Sequence, residues 1–319
     1  MKTTMKAVVY DGVLKLDERY PRPGIQKDWA LLRVKTAGIC RTDLEITKGY
    51  MGYKGVLGHE FVGVVEGCER RDLIGRRVVG EINVGCGSCP ACLAKNERHC
   101  LVRRTLGIHA LDGVLAEYCT LPVKNIKVLP DSIADDHAVF VEPLAAAHEI
   151  LEQVAIPESA SCVVLGDGKL GILCAWALSE VVSDITLVGH HRENLALADW
   201  NGVRATTELP GPNMADLVVE ATGTPDGLMQ SINLVRPRGT LILKSTISGQ
   251  SGLNLSMAVV KELLMVGSRC GPFDRTLKAM SAFQFPLERL IHGRFPFDQA
   301  MAAFEAASRK GALKILLDF

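Results

Sequence analysis

Cys86-Gly-Ser-Cys89-Pro-Ala-Cys92, closed by Cys100, gives the spacing C-x2-C-x2-C-x7-C. The short gaps place three sulfurs on one tight turn, and the longer excursion supplies the fourth. Four thiolates saturate a tetrahedral zinc and leave no open position, so this set reads as structural. An iron–sulfur cluster is the chemical rival, because bacterial ferredoxin runs also open C-x2-C-x2-C. Those runs close after three residues and continue with proline; here seven residues intervene and Leu101 follows. A second set is dispersed: Cys40 in Gly38-Ile-Cys-Arg-Thr-Asp43, His59 and Glu60 in Gly58-His-Glu, and Glu142 in Val141-Glu-Pro-Leu144. A mixed thiolate, imidazole and carboxylate set can hold zinc and keep a position open for chemistry. Asp43, three residues after Cys40, has the reach to orient a ligand imidazole. Taken singly, Cys40 and His59 read as readily as core residues.

A third chemical element is the loop Gly166-Asp-Gly-Lys-Leu-Gly171. It follows the apolar stretch Cys162–Leu165 and opens the helical pattern Leu170–Val182. In that setting glycines allow a tight turn and a close backbone approach to a pyrophosphate at the helix N-terminus. An NAD site would place Asp or Glu at the end of the next strand, to hold the ribose 2′-OH. This chain has Gly189-His190-His191-Arg192 there. The acid is absent, and Arg192 with two imidazoles could meet a 2′-phosphate. NADP is therefore the expected cofactor and NAD the alternative; the plain reading of His190, His191 and Arg192 is a solvated helix start. Two zinc sets and a dinucleotide loop together point to zinc-dependent hydride transfer.

The elements around these residues fall into two kinds. Met5–Tyr10, Ala30–Thr36, Phe61–Glu66, Arg76–Ile82, Val114–Thr120 and Ile126–Val128 read as short strands separated by glycines, as in a twisted barrel. Asp131–Gln153 is Ala-rich and helical in pattern. From Ser161 strands and helices alternate: Cys162–Leu165, Leu170–Val182, Asp184–Val188, Arg192–Asn201, Asp216–Glu220, Gly227–Val235, Thr240–Lys244. Such alternation predicts a parallel sheet covered by helices on both faces. Phe297–Ser308 reads as an amphipathic helix with Asp298 as its N-cap, and Leu313–Asp318 as a closing strand.

Bulk properties agree. At 319 residues the chain fits two domains rather than one core. Lys+Arg and Asp+Glu each number 36, so nothing in the charge calls for nucleic acid or an anionic membrane as partner. The N-terminus lacks the apolar stretch of a signal peptide, and no apolar run is long enough to span a membrane. A cytoplasmic protein is expected. The other five cysteines, Cys68, Cys119, Cys162, Cys174 and Cys270, are scattered and read as free thiols in a reducing compartment.

On these residues the chain resembles the zinc-dependent medium-chain dehydrogenase/reductase superfamily of alcohol, polyol, threonine and glucose dehydrogenases. The motifs above are joined by Asp112-Gly-Val-Leu-Ala-Glu-Tyr118, Val219-Glu-Ala-Thr-Gly223 and the Lys314–Phe319 ending, all in family order over essentially the whole length. The resemblance implies an α/β protein with a GroES-like β-barrel catalytic domain (1–141 and 273–319) and a Rossmann doubly wound domain (142–272). It implies an active-site cleft between them. Cys40 and His59 become ligands of a catalytic zinc. Glu142 takes the place filled by Cys in some alcohol dehydrogenases, and Glu60 is the second acid that can approach the metal. Thr42 becomes the hydroxyl that receives the substrate proton, and Arg41 a pyrophosphate contact. Gly166, Asp167, Gly168, Lys169, Leu170, Gly171, His190, His191, Arg192, Thr222 and Gly223 become the cofactor site. Zinc as Lewis acid and hydride transfer to nicotinamide are the implied chemistry.

Two departures qualify the likeness. Many relatives carry His five residues after the ligand Cys, where this chain has Glu45. The chain is also shorter than usual, with economies at Glu66–Gly75 and after Gly271. The expected substrate is a secondary alcohol, polyol or sugar, and the expected assembly a homodimer or homotetramer joined through the edge strand Leu263–Gly267. An NAD-dependent threonine or simple-alcohol dehydrogenase is the alternative. A zinc-free enone or quinone reductase and a non-catalytic nucleotide-binding relative are disfavoured, because the full ligand set is retained.

Overall fold

The strand Trp29–Ile39 is the longest in the protein's computed structural model, which describes residues 3–246 and 255–319. Most of its side chains are buried. It pairs antiparallel with Glu60–Gly67, with Tyr118–Pro122 against its first half, and with Lys314–Asp318 against its second. Arg77–Gly80 and Ile126–Val128 extend the sheet on one side, and Ile291–Pro296 on the other. Gly38 stands in register between Glu60 and Leu316. Two three-stranded sheets complete this part: Leu14–Pro21, Thr4–Tyr10, Gly55–Val56, and Asn83–Val84, Arg104–Leu106, Ala110–Leu111.

Among the described residues the parallel sheet has six strands. In spatial order they are Arg204–Thr206, Asp184–Val188, Ser161–Leu165, Ala215–Glu220, Val235–Leu243 and Leu264–Gly267. The order turns back at Ser161–Leu165, which lies beside both Asp184–Val188 and Ala215–Glu220. In such sheets ligands bind outside the carboxyl ends of the strands at this switch. The helix Lys169–Leu178 follows the first strand and is buried from Gly171 to Leu178. That is why its residues are apolar all round and show no amphipathic stripe. Trp176 is wholly buried, and its indole N–H donates to Ala198 O at 3.0 Å.

The chain divides into two compact units: Met1–Glu142, Leu277–Phe283 and Ile291–Phe319 form one, Pro143–Thr276 and Gln284–Leu290 the other. The sequence division gave all of 273–319 to the barrel side. Residues 273–276 and 284–290 go instead with the parallel sheet. There Phe285 packs on Trp200 with ring centroids 4.8 Å apart, Arg289 donates to Asp199 O at 2.8 Å, and Thr276 bonds to His148 at 2.9 Å.

Element ends differ from the sequence reading for local reasons. The helical stretch at 131–153 is two helices, Asp135–Ala138 and Val141–Gln153. The helix expected from Phe297 begins at Ala300 after a turn of 3-10 helix, with Gln299 at the cap. Asp298 is drawn away from capping by an ion pair with Lys6 at 2.6 Å. Regular pairing in the stretch 114–120 starts only at Tyr118, because Val114–Glu117 makes isolated bonds, such as Val8 N to Leu115 O at 2.7 Å. Among the described residues no helix is long and apolar enough to cross a membrane.

Candidate active site

Cys40 follows the strand Trp29–Ile39 and stands at the N-cap of the helix Arg41–Ile46; Glu60 opens the neighbouring strand Glu60–Gly67, and His59 precedes it. The antiparallel register brings these ends together. A Cys40 sulfur, a His59 ring nitrogen and a Glu60 oxygen lie within 4.8 Å of one another. Asp43, fully buried, ties the two segments: it accepts from Cys40 N at 2.8 Å and from Gly58 N at 3.0 Å. Its Oδ1 is 3.5 Å from His59 Nδ1, at the long limit for a hydrogen bond, and Nδ1 is a buried atom with no hydrogen-bond partner. Desolvation pulls the His59 pKa down, but the charges of Cys40 and Asp43 outweigh it and hold it well above the ordinary value. Thiolate, imidazole and carboxylate, with one buried nitrogen unsatisfied, form a donor set that fits zinc. Thr42 Oγ1 stands 3.8 Å from Cys40 Sγ.

Glu60 has a partner that the sequence reading missed. The Lys314 ammonium pairs with its carboxylate, and both side chains are fully buried. Burial pushes the Lys314 pKa down to about 8, against the opposing pull of Cys40 and Asp43. A Cβ on Gly38 would lie 2.7 Å from Val139, 2.9 Å from the Lys314 stem and 3.1 Å from a Glu60 oxygen. The missing side chain at Gly38 thus makes the lane through which Lys314 reaches Glu60. A lysine inside the otherwise apolar Ala312-Leu-Lys-Ile-Leu-Leu317 was the available signal. Glu142, half-buried in the first turn of Val141–Gln153, is not among the converging donor atoms. Glu45 is held by two cations, Arg41 at 2.9 Å and Lys48 at 3.1 Å.

Cys86, Cys89, Cys92 and Cys100 also bring their sulfurs within 4.8 Å of one another. Gly87 takes a positive φ of 80°, and a Cβ on Gly85 would meet Cys92 Sγ at 2.6 Å, so both glycines are needed for the sulfurs to close up. Hydrogen bonds from the Ser88 backbone and hydroxyl and from the Cys89 backbone lower the Cys86 pKa to about 5, whereas burial raises that of Cys92 to about 11.

At the sheet's switch point the glycine loop runs from Leu165 into the helix Lys169–Leu178. Gly166 has φ 116°, and a Cβ there would meet Ala221 O at 2.6 Å; Gly168, at the helix cap, faces open space. Thr222 turns inward: its backbone and hydroxyl donate to Glu220 Oε1 at 2.7 and 2.6 Å, joined by Gly223 N at 3.1 Å. His190 and Arg192 are exposed beyond the strand Asp184–Val188, with His191 half-buried between them. Lys169 and Leu170 are half-buried at the start of the helix, and Gly171 is buried. Arg41 is exposed.

Comparison with known proteins agrees with this layout. Residues 26–131 match the alcohol dehydrogenase GroES-like domain. The L-threonine 3-dehydrogenase of Deinococcus deserti is 30% identical, over all of this chain and 99% of its own. A protein of Sinorhizobium meliloti 1021 named as a zinc-binding dehydrogenase, solved bound to NADP, superposes with a TM-score of 0.90 at 26% identity, over 100% of both chains. An alcohol dehydrogenase of Escherichia coli CFT073, solved with NADH, gives 0.89 at 26% identity over the same span. This chain belongs to the zinc-dependent medium-chain dehydrogenase/reductase superfamily. It is an enzyme of the alcohol dehydrogenase type, with a GroES-like part and a Rossmann part.

Proposed function

We propose that the chain oxidises a secondary alcohol, polyol or sugar hydroxyl with NADP, using one zinc for chemistry and a second for structure. The observation that carries this reading is the convergence of Cys40, His59 and Glu60 on one point in the barrel unit. Cys40 and His59 would hold the catalytic ion, with Glu60 or Glu142 adding a carboxylate. A zinc ion there supplies Lewis acidity toward the substrate oxygen. Asp43 keeps the two donor segments in register through its bonds to Cys40 N and Gly58 N. The half-buried Thr42 hydroxyl, beside Cys40, takes the substrate proton while passing its own onward to solvent. Glu45, already shared by Arg41 and Lys48, is a poor onward acceptor. The four cysteines of the 86–100 lobe hold the structural ion.

The glycine loop offers backbone N–H groups and a helix N-terminus to a pyrophosphate. The preference for NADP rests on Gly189 where an acid would select NAD, and on His190, His191 and Arg192 beside it. The two solved relatives hold different cofactors, one NADP and the other NADH. Initial rates with NADP⁺ and NAD⁺ over polyols, aldoses, threonine and simple secondary alcohols test the reading. Turnover of a polyol or aldose with NADP⁺ preferred is the expected result. A clear NAD⁺ preference would remove the cofactor assignment, and turnover of simple alcohols alone would remove the polyol and sugar part of the substrate class.

A further inference from the structure

Gly189 closes the strand Asp184–Val188 at the point where a dinucleotide fold usually presents an acid to the ribose. Its missing side chain leaves no vacancy. A Cβ there would run into the side chain of Asp167, which arrives from the glycine loop instead. The Asp167 side chain is only 10% exposed. Its Oδ2 accepts from His190 N at 2.7 Å and His191 N at 2.5 Å. The His191 ring nitrogen Nδ1 lies 3.0 Å from Oδ1 and 3.1 Å from Oδ2. Asn194 adds a bond to the Asp167 carbonyl at 3.1 Å. Nε2 of His191 has no partner among the described residues, and the ring is 38% exposed.

We infer that Asp167 is a positioning residue for cofactor choice: it fixes His191 with Nδ1 turned inward, so that Nε2 is presented to the adenosine 2′-phosphate. The inference rests on the NADP reading above and deepens it. A carboxylate only accepts hydrogen bonds, and two backbone N–H groups and an imidazole occupy most of its lone pairs. An acid spent in this way has little left for a ribose 2′-OH. In the imidazolium form His191 donates from both nitrogens, one to Asp167 and one outward, and its charge offsets a carboxylate that would otherwise repel a phosphate. Burial works against ionisation of Asp167, but its His191 and His190 bonds outweigh it and lower its pKa. The rival is direct contact: Oδ1 accepts a ribose hydroxyl and selects NAD.

The test compares wild type, Asp167→Asn, His191→Gln and the double variant as full-length, zinc-loaded protein, with melting temperatures recorded for each. Calorimetric Kd values for 2′,5′-ADP and 5′-AMP are measured beside kcat and KM for NADP⁺ and NAD⁺. Wild type should prefer 2′,5′-ADP. Asp167→Asn should cut that preference about tenfold, the worth of one charge-assisted bond, through KM for NADP⁺ with kcat retained. His191→Gln should go further and favour 5′-AMP, because the freed Asp167 carboxylate then repels the phosphate. In the double variant the preference should fall to near parity, the two changes being non-additive. The His191→Gln reversal stands as a test even if Asp167→Asn fails to fold. Wild type favouring 2′,5′-ADP with that preference unmoved by the substitutions overturns this inference alone. Loss of 5′-AMP and NAD⁺ binding in Asp167→Asn, with 2′,5′-ADP unaffected, overturns it in favour of direct ribose contact. Wild type favouring 5′-AMP removes the NADP reading and this inference with it.

Discussion

Cys86, Cys89, Cys92 and Cys100 come from one short stretch of chain, whereas Cys40, His59 and Glu60 meet only because two long strands pair in one register. The first cluster carries its own geometry in glycines and a tight turn. The second borrows its geometry from the sheet, from the Asp43 carboxylate, and from a lysine in the closing strand. A local site can therefore be disturbed without harming the rest. A site assembled across a sheet shares its fate with the sheet.

The largest effect should come from the assembled site. Cys40→Ser should cost roughly 10³-fold or more in kcat/KM, since a Lewis acid supplies several kcal/mol. Metal analysis should find the four-thiolate zinc retained; loss of both ions together would erase the distinction between the two clusters. Lys314→Met comes next. It strands the buried Glu60 charge and should lower stability by about 3–5 kcal/mol, read as a shift in urea midpoint. A neutral result would mean that Glu60 does not depend on Lys314. Cys100→Ser should release the lobe metal for roughly 1–3 kcal/mol, with kcat largely kept once the protein is folded. A loss of activity matching Cys40→Ser would show that the lobe is not energetically separate. The smallest effect concerns reactivity. With zinc stripped, Cys86, whose pKa is lowered to about 5, should be alkylated readily at neutral pH. The rate should fall as pH drops through about 5, because the thiolate is then lost. Cys119 and Cys162, pushed up to about 12 by burial, should stay unmodified in the folded protein at neutral pH. Mass mapping of the alkylated cysteines distinguishes these outcomes.

The same contrast explains what could be read from the sequence. The cysteine lobe was legible because its donors are neighbours in the chain. The parallel sheet was legible too, because strand and helix alternate with short connections. Cys40, His59 and Glu60 needed their place among ordered motifs before they could be joined. Lys314 was hidden because a charged residue in an apolar strand does not announce which acid it meets. Asp167 was read as part of a phosphate loop, yet its carboxylate faces the next strand's turn. Asp298 misled because a cap position and an ion pair with a residue distant in sequence use the same carboxylate, and Lys6 won. Each miss is a contact between residues far apart in number, which composition and spacing do not encode.

The pairing of Glu60 with Lys314 spans 254 positions of chain. During synthesis Cys40, His59 and Glu60 emerge before the parallel sheet, and the lysine only after it. Until that strand docks, the nascent barrel must leave Glu60 wet or carry an uncompensated charge. The converging Cys40, His59 and Glu60 are thus translated before the sheet, while the cluster can reach its final electrostatic balance only after the whole sheet has been made.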